Sequence, residues 1–228
     1  MEDALRVDLR NEHVRCFQAQ GFLSIGRITT DEELVWLRDV YNTIIKRKTG
    51  YTPDELAHAT NGHGPIPLMA ITSPEEIVPA LENTLFLRNA RTVVAHLLGV
   101  EEIHLLSGWH VFFKPAGGSE TPWHQDAAYH ASLYIGASMW MSLDPATLES
   151  GCMHYIEKSH LGAIRPHHAQ GGCLIADDVD SSQAVACPLS AGEAIVHHCR
   201  TLHKAGPNAT AGPRRAFDIV CRVNRDSL

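Results

Sequence analysis

The stretch Thr121-Pro122-Trp123-His124-Gln125-Asp126 contains a histidine and an aspartate two positions apart. Residues i and i+2 of an extended strand point to the same face, so this imidazole and this carboxylate could bind one metal ion. The pattern is weak by itself, because 15 of the 228 residues are histidines and chance matches are common. Neighbouring features must therefore distinguish the few ligands from ordinary surface and core histidines.

A second stretch near the C-terminus supplies such features. His203 is followed by Gly206-Pro207-Asn208, which predicts a turn, and Arg214 comes eleven residues after the histidine, where a final strand is predicted to begin. Two histidines and one carboxylate with open coordination positions form the ligand set of non-haem Fe(II) oxygenases. A guanidinium beside that site could bind the remote carboxylate of a dicarboxylate whose 2-oxo acid end chelates the iron.

The composition is that of a soluble globular protein. The hydrophobic fraction is 44% and the charged fraction 20%, and the length suits one full domain. A formal net charge of -7 disfavours a nucleic-acid partner, and no apolar run is long enough to predict a membrane helix. The acidic N-terminus lacks an apolar signal core, so a cytoplasmic location is expected. The six cysteines show no paired C-x-x-C spacing, which predicts reduced thiols.

Helical patterns dominate the first part of the chain. Thr30 followed by Glu33 is a capping box, and apolar residues recur at helical spacing through Lys48. Ser73, before a proline at the first helical position, predicts the start of a helix over 74–98, with an irregularity near Pro79. The other predictions for this part are a helix over about 5–20, a strand over 22–25 and an irregular loop over 50–73.

Short β-rich runs separated by Gly, Pro and Asp clusters follow Gly99, as in a sandwich or barrel of short strands. The predicted strands are Ile103–Lys114, Ala137–Leu143, Met153–Ile156, Ala194–His198 and Ala216–Val223. We therefore expect an α+β, mainly β fold, a jelly roll buttressed by N-terminal helices. The chain is expected to form a single domain over 1–228, with 1–100 as mainly helical support and 101–228 as the jelly-roll core.

Segments from about 105 to the C-terminus resemble, in order, the phytanoyl-CoA dioxygenase family of Fe(II)/2-oxoglutarate-dependent oxygenases. The matching segments are Phe112-Phe113-Lys114-Pro115, His124-Gln125-Asp126, Met139 through Asp144, Gly151-Cys152-Met153, Lys158-Ser159-His160, Ala191 through Ala194, and His203 through Arg215. Each motif alone is weak, but the combination is specific. One departure is Lys204-Ala205, where the family often has Gly-Ser, so a hydroxyl that could reach the cosubstrate is missing.

The resemblance implies a double-stranded β-helix of the cupin-like type, with Fe(II) as cofactor and 2-oxoglutarate and O2 as cosubstrates. It implies iron ligation by His124, Asp126 and His203, and anchoring of 2-oxoglutarate by Arg214. Three further residues are assigned to the cosubstrate site through the matched motifs: Trp140, Gln125 and Lys114. Arg215 is the second candidate for the anchor, although its side chain should point to the opposite strand face.

The resemblance favours hydroxylation of a small organic molecule with release of succinate and CO2. Desaturation, epimerisation and ring formation use the same chemistry and stay open, as does the oligomeric state. The substrate class is left as a natural product, an amino acid derivative or a lipid-like molecule. Aromatic residues expected to line the substrate pocket are Trp109, Phe113, Trp123, Tyr129 and Tyr134, together with the loop over 51–72.

Two other functions are compatible with the sequence. A non-oxidative cupin-like metal protein, either a sugar-binding module or an isomerase, could use His124, Asp126 and His203 for zinc or manganese. A structural domain that has lost catalysis is disfavoured by the intact ligand set. His197 and His198 are weaker ligand candidates, and one of them is expected in the core or beside the metal ligands.

Overall fold

The computed structural model describes residues 7–57, 69–129 and 135–223. The α-helices in these ranges are α1 (Asn11–Gln20), α2 (Asp31–Thr49), α3 (Pro53–Ala57) and α4 (Leu85–Leu98). The strands of the first part and the centre are β1 (Phe22–Arg27), β2 (Met69–Thr72), β3 (His104–Lys114), β4 (Thr121–His124), β5 (Gly136–Ser142) and β6 (Met153–Ile156). The remaining strands are β7 (His167–Gln170), β8 (Cys173–Ala176), β9 (Ala184–Cys187), β10 (Glu193–His198), β11 (His203–Ala205) and β12 (Arg214–Arg222).

Two antiparallel sheets form the body of the protein. The larger sheet has six strands in the order β1-β10-β5-β12-β3-β2, and the smaller has four in the order β4-β11-β6-β9. An apolar cluster joins them, in which Trp140 and Ala216 of the larger sheet pack with Tyr155 and Ala205 of the smaller one. Strands β7 and β8 pair separately. This arrangement of mainly antiparallel strands with few helices is consistent with a jelly-roll-like fold.

The other face of the larger sheet is covered by helices. Apolar side chains of α2 and α4 pack there in one continuous core with alternate residues of the central strands. In β12 these residues are Phe217, Ile219 and Cys221, and in β3 they are Trp109, Val111 and Phe113. The intervening residues of the same strands point towards the smaller sheet, because side chains alternate between the faces of a strand.

Glu33 links the two long helices. The Thr30 side chain accepts a hydrogen bond from the Glu33 backbone N–H at 3.1 Å, as the capping box predicts. The Glu33 carboxylate instead accepts hydrogen bonds from the backbone N–H groups of Leu85 (2.5 Å) and Phe86 (3.0 Å). A carboxylate at this position satisfies two of the open donors at the N-terminus of α4 and interacts favourably with the helix dipole.

The predicted helix over 74–98 is correct only in its second half. Two short 3-10 turns, Pro74–Glu76 and Pro79–Asn83, precede α4, which begins after Thr84 as its N-cap. Pro79 lacks a backbone N–H and its ring would clash with the preceding helical turn, so a continuous helix through it is unfavourable. Ser73 has a φ of 52° and makes no capping side-chain hydrogen bond.

The strands predicted in the second part are all present, with ends shifted by one or two residues. The short strands β4 and β11, which carry the candidate ligands, were not predicted as strands, and neither were β2, β7, β8 and β9. The segment predicted as an irregular loop over 50–73 contains α3 and β2, while 58–68 lies outside the described residues. No helix of the described ranges is long and apolar enough to cross a membrane.

We predict that Glu33→Ala lowers the free energy of unfolding by about 2 kcal/mol, because two helix N–H groups lose a charged acceptor. Urea denaturation followed by circular dichroism measures this loss. The matched control is Glu32→Ala, since Glu32 is exposed in the same helical turn. Its expected cost is below about 1 kcal/mol, from the helix dipole alone. Equal losses for the two variants would contradict the capping role of Glu33.

Candidate metal centre

The structure brings His124, Asp126 and His203 together. His124 at the end of β4 is the register partner of His203 at the start of β11, and their ring centroids are 4.1 Å apart. Asp126 lies beyond the strand, at the start of a 3-10 turn. Its Oδ1 is 3.9 Å from His124 Nε2 and 3.5 Å from His203 Nε2. One potential ligand atom from each residue lies within 4.8 Å of the other two.

Backbone carbonyls set the tautomer of both histidines. His124 Nδ1 lies 2.8 Å from the Pro122 carbonyl oxygen, and His203 Nδ1 lies 2.9 Å from that of Thr201. A carbonyl oxygen only accepts, so each Nδ1 carries the proton and each Nε2 presents a lone pair. Burial lowers the pKa of both imidazoles, which keeps them neutral. Neutral, oriented imidazoles are the form that binds a metal ion.

Two neighbouring side chains contact the second carboxylate oxygen of Asp126. Its Oδ2 accepts a hydrogen bond from Ser138 Oγ at 2.7 Å and lies 3.1 Å from His197 Nε2. His197 Nδ1 in turn lies 3.3 Å from the Tyr155 hydroxyl. Burial raises the pKa of the Asp126 carboxyl, but the hydrogen bond with His197 helps to hold that pKa below the usual range. His197 therefore orients the carboxylate, and only its position on the inward face of β10 could have indicated this from the sequence.

Arg214 lies in the same cavity as the three candidate ligands. It is the first residue of β12, only 2% exposed, and its guanidinium carbon lies 5.1 Å from the centroid of the Trp140 ring. Burial lowers the pKa of Arg214 to about 10, so it stays charged at neutral pH. Among the described residues, neither its Nε nor its Nη1 has a hydrogen-bond partner. An anionic ligand would satisfy these two buried donors, which are costly when unpaired.

Lys114 adds a second cation beside the arginine. It is the register partner of Arg214 on β3, and its ammonium donates hydrogen bonds to the backbone oxygens of Ala205, at 3.3 Å, and Gly206. Burial, followed by the charge of Arg214, lowers the pKa of Lys114 to about 7. Lys114 lines neither cavity, so Arg214 is the cation that faces a ligand there, and the cosubstrate role of Lys114 stays a prediction.

Arg215 points to the opposite face of β12. Its guanidinium forms a bidentate pair with Asp144, with Nε to Oδ2 at 2.8 Å and Nη2 to Oδ1 at 2.7 Å. A third nitrogen, Nη1, donates to Asn42 at 3.1 Å. Arg215 therefore connects the larger sheet to α2 and is not available to anchor a ligand in the cavity.

Two adjoining cavities meet at the metal site. The inner one is lined by the three ligands together with Phe112, Trp140, Arg214 and others, and places Trp140 where the sequence motif predicted it. An outer cleft of about 690 Å³ shares His124, Asp126 and Asp218 with it. A volume in this range is typical of sites for small organic molecules. The arrangement separates an anion-binding end at Arg214 from an opening on the other side of the ligands.

Three of the residues predicted to line the substrate pocket are placed differently by the structure. Tyr129 does line the outer cleft. Trp109 and Phe113 are fully buried in the core on the helix side of the sheet, where Trp109 packs against Phe86, so their predicted role is wrong. Alternation gives the reason, since residues an odd number of positions from Lys114 lie on the face opposite to it. Trp123 lines neither cavity and lies against Lys204; Tyr134 is outside the described residues.

Gln125 also differs from its prediction. Its side chain is fully buried, with Nε2 donating to the Arg200 carbonyl at 2.6 Å and Oε1 accepting from the Arg165 backbone N–H at 2.8 Å. Both polar ends are occupied by backbone groups, and the residue lines neither cavity. Gln125 thus ties two loops to the metal-binding segment instead of contacting a cosubstrate.

Two histidines, one carboxylate and an unpartnered buried arginine between antiparallel sheets define the class of metal-dependent oxygenases that use a 2-oxo acid. Residues 17–216 match the model of the phytanoyl-CoA dioxygenase (PhyH) family, and the chain belongs to that family of Fe(II)/2-oxoglutarate-dependent oxygenases. Fe(II), 2-oxoglutarate and O2, predicted from the sequence, agree with this membership and with the ligand set.

A solved structure of EvdO2 from Micromonospora carbonacea var. aurantiaca in complex with 2-oxoglutarate is 35% identical, with a TM-score of 0.83 over 97% of this chain and 94% of that one. A probable alpha-ketoglutarate-dependent hypophosphite dioxygenase of Stutzerimonas stutzeri is 24% identical over 90% of this chain and 75% of its own length. Phytanoyl-CoA dioxygenase domain-containing protein 1 of Bos taurus is 26% identical over 54% of this chain. The chain spans about half the length of that relative, 46%.

We predict that His203→Ala raises the dissociation constant of Fe(II) by more than about 100-fold, because removing even an outer partner of a ligand costs 10–100-fold. Anaerobic equilibrium dialysis with metal analysis measures it. His96→Ala is the control, since His96 is exposed on α4. Retention of wild-type iron affinity by His203→Ala would show that this histidine is not a ligand.

Proposed function

We propose that the protein is an Fe(II)- and 2-oxoglutarate-dependent dioxygenase that hydroxylates a small organic molecule and releases succinate and CO2. Its 228 residues would form one domain, with the two sheets as a double-stranded β-helix. The observation that carries the proposal is the buried Arg214, whose Nε and Nη1 lack partners among the described residues and which lines the cavity of the candidate ligands. The 2-oxo acid cosubstrate of such an oxygenase carries a second carboxylate, which would pair with this arginine.

The residues of the cavity would have different roles according to their position. The Nε2 atoms of His124 and His203 and the Oδ1 of Asp126 would hold the iron, which when bound supplies the oxidising chemistry with O2. Ser138 and His197 would keep the carboxylate oriented through its other oxygen. Arg214, packed on the Trp140 ring, would bind the distal carboxylate of 2-oxoglutarate in a bidentate manner.

The substrate would enter through the outer cleft, which opens on the side of the ligands away from Arg214. Its volume of about 690 Å³ fits a small natural product, an amino acid derivative or part of a lipid-like molecule. The resemblance to the family favours hydroxylation, because an aspartate, Asp126, is present as the third protein ligand of the iron. Desaturation, epimerisation and ring formation need the same ligands and cosubstrate, so the site geometry does not separate them.

The proposed activity predicts succinate formation that requires both added Fe(II) and 2-oxoglutarate. Anaerobic addition of 2-oxoglutarate to the Fe(II) protein should also produce the visible charge-transfer band of a bidentate 2-oxo acid. Succinate is quantified by mass spectrometry after air is admitted, with protein lacking iron as the control. Tightly bound zinc together with no binding of 2-oxoglutarate would favour the non-oxidative cupin-like alternative.

We predict that Arg214→Ala raises the dissociation constant of 2-oxoglutarate by at least about 30-fold, because truncating one member of a buried charged pair costs 2–5 kcal/mol. Iron affinity should be unchanged, because Arg214 is not a ligand. Titration of the charge-transfer band with 2-oxoglutarate measures the first quantity, and anaerobic equilibrium dialysis with metal analysis measures the second. The control is Arg222→Ala, which removes an exposed arginine from the other end of the same strand. Unaltered 2-oxoglutarate affinity in Arg214→Ala would rule out the anchor.

A further inference from the structure

A row of three polar side chains and one tryptophan crosses the inner face of the larger sheet, and the three polar residues have no role in the proposed iron or cosubstrate sites. Thr72, His110, Asp218 and Trp140 are consecutive register partners on β2, β3, β12 and β5. The first three line the outer cleft, and Asp218 also lines the inner cavity beside the metal ligands. Buried polar groups need hydrogen-bond partners, which an apolar core does not supply.

Asp218 has a carboxylate oxygen available as an acceptor where the inner cavity and the outer cleft meet. The residue is 5% exposed, and its Oδ2 lies 3.8 Å from His110 Nδ1. Its Oδ1 has no hydrogen-bond partner among the described residues. Burial raises the pKa of Asp218, while His110, whose own pKa is raised by the aspartate against the effect of burial, stabilises the charge. A buried acceptor without a donor is costly, and a donor on a bound ligand would remove that cost.

Among the described residues that line the outer cleft, His110 is the one potential cation besides the candidate ligand His124, and it already faces Asp218. None of the cleft's described lining residues is a lysine or an arginine. Sites for phosphate, phosphonate or carboxylate groups are typically built from such side chains or from helix N-termini. Arg214 and Lys114 are set apart at the cosubstrate end.

Each acidic group of the cleft already has a counter-charge. Glu120 at the rim pairs with Lys204 at 2.7 Å, and Asp218 faces His110. Asp126 would be neutralised by the metal ion. An ammonium-bearing substrate therefore gains little from this surface, whereas a neutral molecule with hydroxyl donors could satisfy the free acceptor without a net charge.

We propose that the outer cleft takes a neutral, hydroxyl-bearing substrate of the carbohydrate or polyol type, and that Asp218, oriented by His110, accepts a hydrogen bond from one of its hydroxyls. This proposal rests on the proposed function, since the reacting carbon must lie next to the iron. The aromatic side chains of Phe112 and Tyr129, which line the same cleft, supply apolar surface for the ring or chain carbons. Asp218 is thereby a substrate-binding residue that determines specificity.

The test compares neutral sugars with their acids. Methyl glycosides of several hexoses and the corresponding methyl uronides are titrated calorimetrically into the anaerobic Fe(II) protein saturated with 2-oxoglutarate. We expect binding of at least one neutral glycoside, and at least tenfold weaker binding of its uronide. Tighter binding of the uronides, or no binding by any neutral glycoside, would overturn the proposal without the need for any variant.

Variants then test the residue. Asp218→Leu should weaken the bound glycoside at least tenfold, and Asp218→Asn, which keeps an acceptor, should weaken it less, while both retain the charge-transfer band with 2-oxoglutarate. Asp39→Asn, an exposed change on α2, is the control. Wild-type glycoside affinity in Asp218→Leu contradicts the assignment. If glycosides bind but no succinate forms under any condition, the proposed function fails while the cleft assignment stands. If succinate forms but no glycoside binds, the proposed function stands and the cleft assignment fails.

Discussion

The alternation of side chains along the central strands of the larger sheet is the constraint on which the rest of the structure depends. One face must be apolar to pack against α2 and α4, and the other must carry the groups of the cavity. Because the period is two, neighbouring residues acquire unrelated roles. Arg214 enters the cavity while Arg215 pairs with Asp144 on the helix side, and Lys114 lies beside Arg214 while Phe113 packs in the core.

The two faces also separate stability from chemistry. The helix side contains a continuous apolar core. It also contains the carboxylate of Glu33 in α2, which caps α4 and has both oxygens hydrogen-bonded. The cavity side holds buried groups with unused donors or acceptors, Arg214 and Asp218 among them. Unpaired buried polar groups are destabilising, and because Arg214 and Asp218 both line the cavity, a ligand bound there could supply the missing partners. The well-packed core allows the fold to tolerate them.

Asp126 shows how the site is arranged at short range. One oxygen faces the two ligand imidazoles, and the other is held by Ser138 and His197. The pair of backbone carbonyls behind His124 and His203 completes the same design, in which every ligand has its second polar atom occupied. A metal ion would therefore meet ligands that need little reorganisation.

The sequence alone determined much of this protein. Local periodicity predicted the strands of the second part and helix α2, and the spacing of the motifs predicted His124, Asp126, His203 and Arg214 as members of one site. Its errors were local as well. The helix predicted to start after Ser73 begins only after Thr84, and the aromatic character of Trp109 said nothing about which face of β3 it occupies.

Only the tertiary structure decided which side chains meet. The contacts of Asp126 with His197, of Asp218 with His110, and of Gln125 with two backbone segments join residues far apart in the chain. Such pairings depend on strand order and register, which are set by the packing of whole sheets and leave no mark in the local sequence. For this reason the sequence predicted the candidate iron ligands and the candidate cosubstrate anchor, whereas the outer cleft and the unpaired oxygen of Asp218 became visible only in three dimensions.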